Sequence, residues 1–295
     1  MTTHDRRLTP ARPDLAAAHL EGVVAAPRYV AGTPRRVVAA VADLGPQPRP
    51  DTGIDTQLLC GETFTVYDET PEGWAWGQSG TDGYVGWTSG EALGSPGPAP
   101  THRLAALRSF VYPGPDLRLP RSDCLSLGSR VTVTGTATTR GTDYALLVAG
   151  GAMVLAHLVA VDAPPAEDYV AVAERFVGTP YLWGGRSGFG IDCSGLVQLS
   201  LAEAGIEAPR DSDLQAAGLG EAVGDGSADP SGFRRGDLLF WKGHVGIVAG
   251  ADTLLHASGF HMTVVAEPLR AALARIEAAG TPLAGVRRPV TTPGQ

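Results

Sequence analysis

Cys193, His244 and His256 are the residues of this chain best suited by type and spacing to nucleophilic chemistry. A thiol attacks as the thiolate, and a free thiol with a pKa of ~8.5 is mostly protonated at neutral pH. The orphan amides of a helix N-terminus, together with a nearby imidazolium, favour the ionised form, and Cys193 opens an expected helix. His244 begins a β-prone run and His256 lies in the next, twelve residues on, so a hairpin brings both to one end of a sheet. There His244 takes the thiol proton and returns it to a leaving amine, while His256 binds its other ring nitrogen and fixes the tautomer. Taken singly, each residue has a plainer reading, the cysteine as a small buried hydrophobe and the histidines as structural. His261, beyond the Gly259 turn, reads as structural. The run Gly188-Phe-Gly-Ile-Asp-Cys-Ser-Gly195 keeps small residues about the sulfur, which leaves room for a substrate backbone.

The elements that must position these groups follow from periodicity. Tyr169, Val172, Ala173 and Phe176 fall at i, i+3, i+4 and i+7 with Gly178 and Pro180 as the stop, which predicts an amphipathic helix. A second helix is expected over 193–204, with Cys193, Leu196, Val197, Ser200 and Leu201 on one face and Gly205 past its end. Runs at 237–241, 244–248, 253–257 and 263–265, joined by short turns, predict an antiparallel meander. Helices followed by strands define an α+β domain over 165–290.

Upstream, residues 1–27 read as a polar lead-in with a short helix over 15–24. Short β-prone runs over 28–97, among them Arg36-Val-Val-Ala-Ala-Val41 and Tyr84-Val-Gly-Trp87, predict a small β-barrel. Gly94-Ser-Pro-Gly-Pro-Ala-Pro100 is the linker, and 101–163 repeats the style as a second small barrel. The uncharged stretch 145–161 approaches the length of a membrane helix, but Gly150-Gly151 at its centre, with Asp143 and Asp162 outside it, predicts a hairpin.

Composition narrows the function. With 23 Lys and Arg against 31 Asp and Glu, the formal net charge of −8 argues against nucleic acid and anionic membranes as partners. The cysteines Cys60, Cys124 and Cys193 lie far apart with no paired spacing, so neither a disulfide framework nor a zinc knuckle is spelled out. Cys60 and Cys124 read as buried barrel residues. The charged, proline-bearing first ten residues lack the apolar core of a secretory signal, and cytoplasm is the expected location. Trp183-Gly-Gly-Arg-Ser-Gly188 lacks the Gly-Lys-Ser/Thr of a phosphate loop, and no metal or cofactor is expected.

Five motifs occur in an order that resembles the NlpC-type papain-like cysteine peptidases: Pro180-Tyr-Leu-Trp-Gly-Gly-Arg186, Ile191-Asp-Cys-Ser-Gly-Leu196, Gly236-Asp-Leu-Leu-Phe240, Gly243-His-Val-Gly-Ile247 and His256-Ala-Ser258. The chain is similar to the branch of γ-D-glutamyl-diamino-acid dipeptidyl-peptidases, in which two bacterial SH3-like barrels precede an α+β papain-like domain with helices packed on an antiparallel sheet. The resemblance implies Cys193, His244 and His256 as the triad and Tyr181 as an oxyanion or substrate-backbone donor. It implies Asp192, Ser194, Asp211 and Ser212 as substrate neighbours; Asp211 and Ser212 read equally well as helix caps. It also implies Glu62 and Tyr84 of the first barrel as groups that close on the free amine of the substrate, against a plainer reading of Glu62 as a solvated surface residue and Tyr84 as barrel core. The expected reaction is cleavage of the γ-D-Glu to diaminopimelate (or Lys) bond of murein-derived peptides such as L-Ala-γ-D-Glu-diaminopimelate, releasing L-Ala-D-Glu during peptide recycling. An exported peptidoglycan endopeptidase and a non-catalytic wall-fragment binding module are the alternatives.

Overall fold

The structure is a computed structural model that describes residues 4–223 and 232–290. It divides into two compact units, Met1–Ala163 and Pro164–Gln295.

The first unit is almost all β. Strands Leu93–Gly94, Thr33–Val37, Thr63–Glu69, Trp74–Ser79 and Val85–Ser89 lie side by side in that order, and Val41–Leu44 pairs with Thr56–Leu59 in a separate two-stranded sheet. Val37, Leu44, Leu58, Phe64, Val66 and Tyr84 fill the interior. The single run expected over 36–41 is broken at 38–40, because the backbone amides of Val38 and Ala39 both turn to the carbonyl of Ala92.

Residues 15–24 do not form the expected helix. Leu15–Ala17 is a strand, paired antiparallel with Ala11–Arg12 and parallel with Tyr29–Val30, and only Ala18–Leu20 makes a single 3-10 turn. Leu15 and Ala17 pack against Tyr67 and Trp76, so tertiary burial overrides the helix propensity of the alanines. Arg12 lies over the rings of Trp76 and Trp87, 4.9 Å from each centroid.

Beyond the linker, residues 102–160 form three small sheets around Leu104, Leu125, Val131, Ala145, Met153 and Leu158. The uncharged stretch is a hairpin as expected: Thr142–Leu147 pairs with Ala152–Val154 around Gly150 and Gly151, both at positive φ. No described helix is long and apolar enough to cross a membrane. Gly61 turns with φ +86° where an added Cβ would stand 2.1 Å from the carbonyl oxygen of Arg130, so no larger residue fits there.

The second unit sets helices against a six-stranded antiparallel sheet. The strands run in the order Glu221–Ala222, Gly285–Arg288, Leu238–Trp241, His244–Gly250, Thr253–Ser258 and Thr263–Pro268. The expected meander is present, and Gly285–Arg288 extends it on the side of Leu238–Trp241. Helix α1, Tyr169–Glu174, buries Tyr169, Val170, Val172 and Ala173; the Asp168 carboxylate caps it by accepting from the Val170 amide. Helix α2, Cys193–Glu203, packs on α1 and on the His244–Gly250 strand, and every residue from Cys193 to Leu201 is buried. It is a central helix buried all round, its polar Ser194, Gln198 and Ser200 included, where a one-sided face was expected. Two further helices follow, α3 at Ser212–Gly218 and α4 at Leu269–Ala278. Helix α4 covers Leu239, Trp241, Val248 and Leu254 with Leu269, Ala272 and Leu273.

Candidate active site

Cys193 is the first residue of α2, and the chain reaches it through a cap. Asp192 is extended, and its Oδ1 accepts from the Gly195 amide at 2.7 Å, satisfying one of the orphan donors of the helix start. Its Oδ2 accepts from the Gly184 amide at 2.9 Å. The same carboxylate is gripped by Arg210, whose Nη1 donates to Oδ1 at 2.9 Å and Nη2 to Oδ2 at 2.7 Å. Arg210 is 1% exposed and donates besides to Ser194 Oγ at 2.8 Å and the Gly185 carbonyl at 3.3 Å. Asp192 and Ser194, expected as substrate neighbours, therefore spend their side chains on holding the start of the helix. Gly195 has a related reason: an added Cβ would stand 2.4 Å from the Gly185 carbonyl oxygen. The smallness beside the sulfur accommodates the protein's own backbone.

Cys193 is 6% exposed, and its thiol is within hydrogen-bond reach of the backbone amides of Ser194 and of Val245, the residue next to His244. Burial pushes its pKa up to about 12, helped by the Asp192 charge and opposed by those two amides and Arg210. On the neighbouring strands the rings of His244 and His256 meet edge to face, with His244 Nε2 and His256 Nδ1 2.7 Å apart. Trp241 lies along the other side of the His244 ring, 5.5 Å between centroids. Burial lowers His244 to about 3, with His256 and Arg275 adding to the effect, and it lowers His256 as well. For both groups burial works toward the neutral form, and at the thiol it opposes the helix N-terminus that was expected to favour a thiolate.

A fourth group, not anticipated from the sequence, completes this corner. Glu267 Oε1 lies 2.8 Å from His256 Nε2 and also accepts from Arg275 of α4. His261 Nε2 stands 3.6 Å from Glu267 Oε2. The ladder pairs His256 with Val265 and Leu254 with Glu267, which places Glu267 diagonal to His256 on the same face. That alternation is readable from the sequence once the turn at 259–262 is placed. Arg210 left no such signal, because its partners come from chain segments brought together only by folding.

Tyr181 is half-buried beside the site. Its backbone amide bonds the Met262 carbonyl at 3.0 Å, and its ring lies 3.9 Å from where a Gly259 Cβ would be. Burial raises its phenol, and the Cys193 and Asp192 charges add to this, so it remains a donor at neutral pH. Asp211 occupies the cap position of α3 without a side-chain bond to that helix, and Ser212 is its first residue. In the barrel unit, Glu62 is buried, contrary to a solvated reading, with Oε2 accepting from the Leu59 amide at 2.9 Å. Tyr84 belongs to the barrel core and also borders a cavity of about 410 Å³ with Trp76, Trp87 and Arg12. Cys60 and Cys124 are free and partly buried, and burial raises both thiols, Cys60 to about 11. Among the described residues no group of three or more His, Cys, Asp or Glu side chains is disposed to hold a metal ion.

Comparison with known proteins gives this arrangement its class. Residues 178–275 match the NlpC/P60 family, and residues 44–93 match the bacterial dipeptidyl-peptidase Sh3 domain. The match to an SH3-like domain thus precedes the match to the NlpC/P60 family, in the order that the resemblance implied. Among similar proteins, a gamma-D-glutamyl-L-lysine dipeptidyl-peptidase of Bacillus subtilis is 42% identical over 101 residues, 31% of this chain and 32% of the relative. One of the same name from Bacillus cereus is 35% identical over 117 residues, 37% of this chain and 33% of the relative. The chain thus spans about a third of the length of these curated relatives. In fold it is similar to the crystal structure of an NlpC/P60 family protein from Bacillus cereus, with a TM-score of 0.69 and 22% identity over 87% of this chain and 99% of that one.

Proposed function

We propose that the protein is a cysteine peptidase that hydrolyses the γ-D-Glu to diaminopimelate (or Lys) bond of murein-derived peptides with a free N-terminal L-Ala, in peptide recycling. The observation that carries the reading is the 2.7 Å approach of His244 Nε2 to His256 Nδ1, on strands against the helix that begins with Cys193. The names of the relatives support the γ-D-glutamyl specificity.

In the proposed reaction the Cys193 sulfur attacks the scissile carbonyl as His244 takes its proton. The oxyanion accepts hydrogen bonds from the Cys193 amide, at a helix position with no intrahelical acceptor, and from the Tyr181 hydroxyl. Collapse breaks the C–N bond; the amine leaves with the proton from His244, and L-Ala-D-Glu remains as a thioester. Water, deprotonated by His244, then frees the thiol. Asp211 and Ser212 at the start of α3 are candidates for the peptide's polar groups. Residues 101–163 read as a second SH3-like barrel, supported by their three small sheets around one core. The unpaired thiols fit a reducing cytoplasm.

The test is to incubate purified protein with L-Ala-γ-D-Glu-diaminopimelate and L-Ala-γ-D-Glu-Lys, free and N-acetylated. Release of L-Ala-D-Glu from the free peptides alone is expected. Equal cleavage of the acetylated peptides defeats the dipeptidyl reading, and no cleavage of any, with Cys193→Ala identical to wild type, defeats the peptidase reading.

A further inference from the structure

The chain of contacts that starts at His244 does not stop at His256. Glu267 meets the far nitrogen of His256, and Arg275 braces Glu267 while its guanidinium lies 4.6 Å over the Phe260 ring. We propose that Glu267, braced by Arg275, is a positioning residue that sets the tautomer of His256 and through it leaves Nδ1 of His244 as the base. The inference rests on the peptidase reading for its consequence, though its geometry stands apart from it.

Glu267 faces Arg275, His256 and His261, and although burial works to raise its pKa, these partners lower it, so it is ionised at neutral pH and can only accept. His256 Nε2, 2.8 Å away, must then carry the hydrogen. A neutral imidazole has one N–H, which leaves His256 Nδ1 bare. His244 Nε2, 2.7 Å from that atom, must in turn be the donor. His244 is neutral too, and its Nδ1 is therefore unprotonated and free to take a thiol proton. One carboxylate thus fixes two rings. With no acceptor-only group beyond His256, both rings can flip together, and His244 then carries its hydrogen on Nδ1 and cannot act as a base.

Arg275 has a second effect. Its charge disfavours protonation of both histidines, which offsets the pull of Glu267 and keeps a proton from settling on His256. The other charged or titratable groups that act here are His261 from the 259–262 turn and, at the thiol on α2, Asp192 and Arg210.

The experiment uses the full chain labelled with ¹⁵N-histidine, with resonances assigned through His→Gln variants. At pH 7 both His244 and His256 should show a protonated Nε2 and a bare Nδ1; a protonated Nδ1 on His244 in the wild type overturns the proposal whether or not any variant folds. Glu267→Gln, whose amide can donate as well as accept, should give mixed tautomers. It should lower kcat about 10- to 100-fold, the range for removing an outer partner that orients an imidazole, with KM nearly unchanged. The acid limb of kcat/KM should also move to lower pH, because the carboxylate no longer favours the imidazolium; loss of packing alone lowers the plateau without moving the limb. Wild-type kcat and tautomers in Glu267→Gln overturn the inference. A wild type inactive on every peptide defeats the peptidase reading and leaves the spectra to decide the tautomer.

Discussion

Replacing Arg210 by Met tests how the start of α2 is held. Arg210 is 1% exposed and donates to both oxygens of the Asp192 carboxylate, to Ser194 Oγ and to the Gly185 carbonyl. Methionine fills most of the volume but leaves the Asp192 charge buried without its counter-ion, and removing one partner of a buried pair costs about 3–5 kcal/mol. With a urea m-value of about 2 kcal/mol/M, the unfolding midpoint of the second unit should fall by roughly 1.5–2.5 M. The assay is urea unfolding followed by far-UV circular dichroism, run on wild type, Arg210→Met, Asp192→Asn and the double variant. Asn keeps the cap while deleting the charge, so the double variant should be more stable than the sum of the two single losses implies, with a coupling of about 1–3 kcal/mol. A loss under about 1 kcal/mol in Arg210→Met, or strict additivity, refutes the claim that this ion pair clamps the helix.

Three further outcomes follow from the same site and its scaffold. Cys193→Ala should abolish peptide hydrolysis, measured by release of L-Ala-D-Glu, while leaving the unfolding midpoint close to wild type. His244 has a folded pKa lowered to about 3 from an ordinary value near 6.5, so the unfolded chain binds more protons between those limits. Stability should therefore fall as pH drops below about 6.5, and a His244→Gln variant, compared by urea unfolding at pH 7 and pH 5, should show less of that fall. Gly61→Ala puts a Cβ 2.1 Å from the Arg130 carbonyl at a φ of +86°, and it should destabilise the barrel unit by about 1–3 kcal/mol in thermal unfolding.

The frame of the second unit was legible because its elements carry plain local signals. Short apolar runs bounded by turns placed the four central strands, three of which are mostly buried, and the i, i+3, i+4, i+7 spacing placed α1. Helix α4 was equally readable, since Leu269, Ala272, Leu273 and Ile276 repeat that spacing after Pro268. Residues 15–20 misled because alanines favour a helix only where packing is silent, and here Tyr67 and Trp76 are waiting for a strand. At the site, Cys193, His244 and His256 were legible as types at suitable spacings. The part that Asp192 and Ser194 play in holding the helix start was not legible, because Arg210, eighteen and sixteen residues downstream, gives no local sign that it will fold back on both. Pairwise spacing finds a nucleophile and a base; it does not find the counter-charges that only the packed structure assembles.

Those counter-charges decide what kind of thiol this is. Asp192 raises the Cys193 pKa and Arg210 lowers it, and the two form one tight pair. Their effects on the sulfur oppose one another, and burial is the largest influence, which favours the neutral form. In the proposed reaction, proton transfer to His244 then belongs to the chemical step rather than to the resting state. An imidazole that must accept a proton during attack needs its bare nitrogen on the correct side beforehand, because the second ring allows no correction without moving its own hydrogen. A protein with a preformed thiolate has no such requirement. In the proposed reaction the buried thiol and the ordered line of His244, His256, Glu267 and Arg275 belong together: burial works against an ion pair at rest, and the outer carboxylate supplies the orientation that such a pair would otherwise enforce.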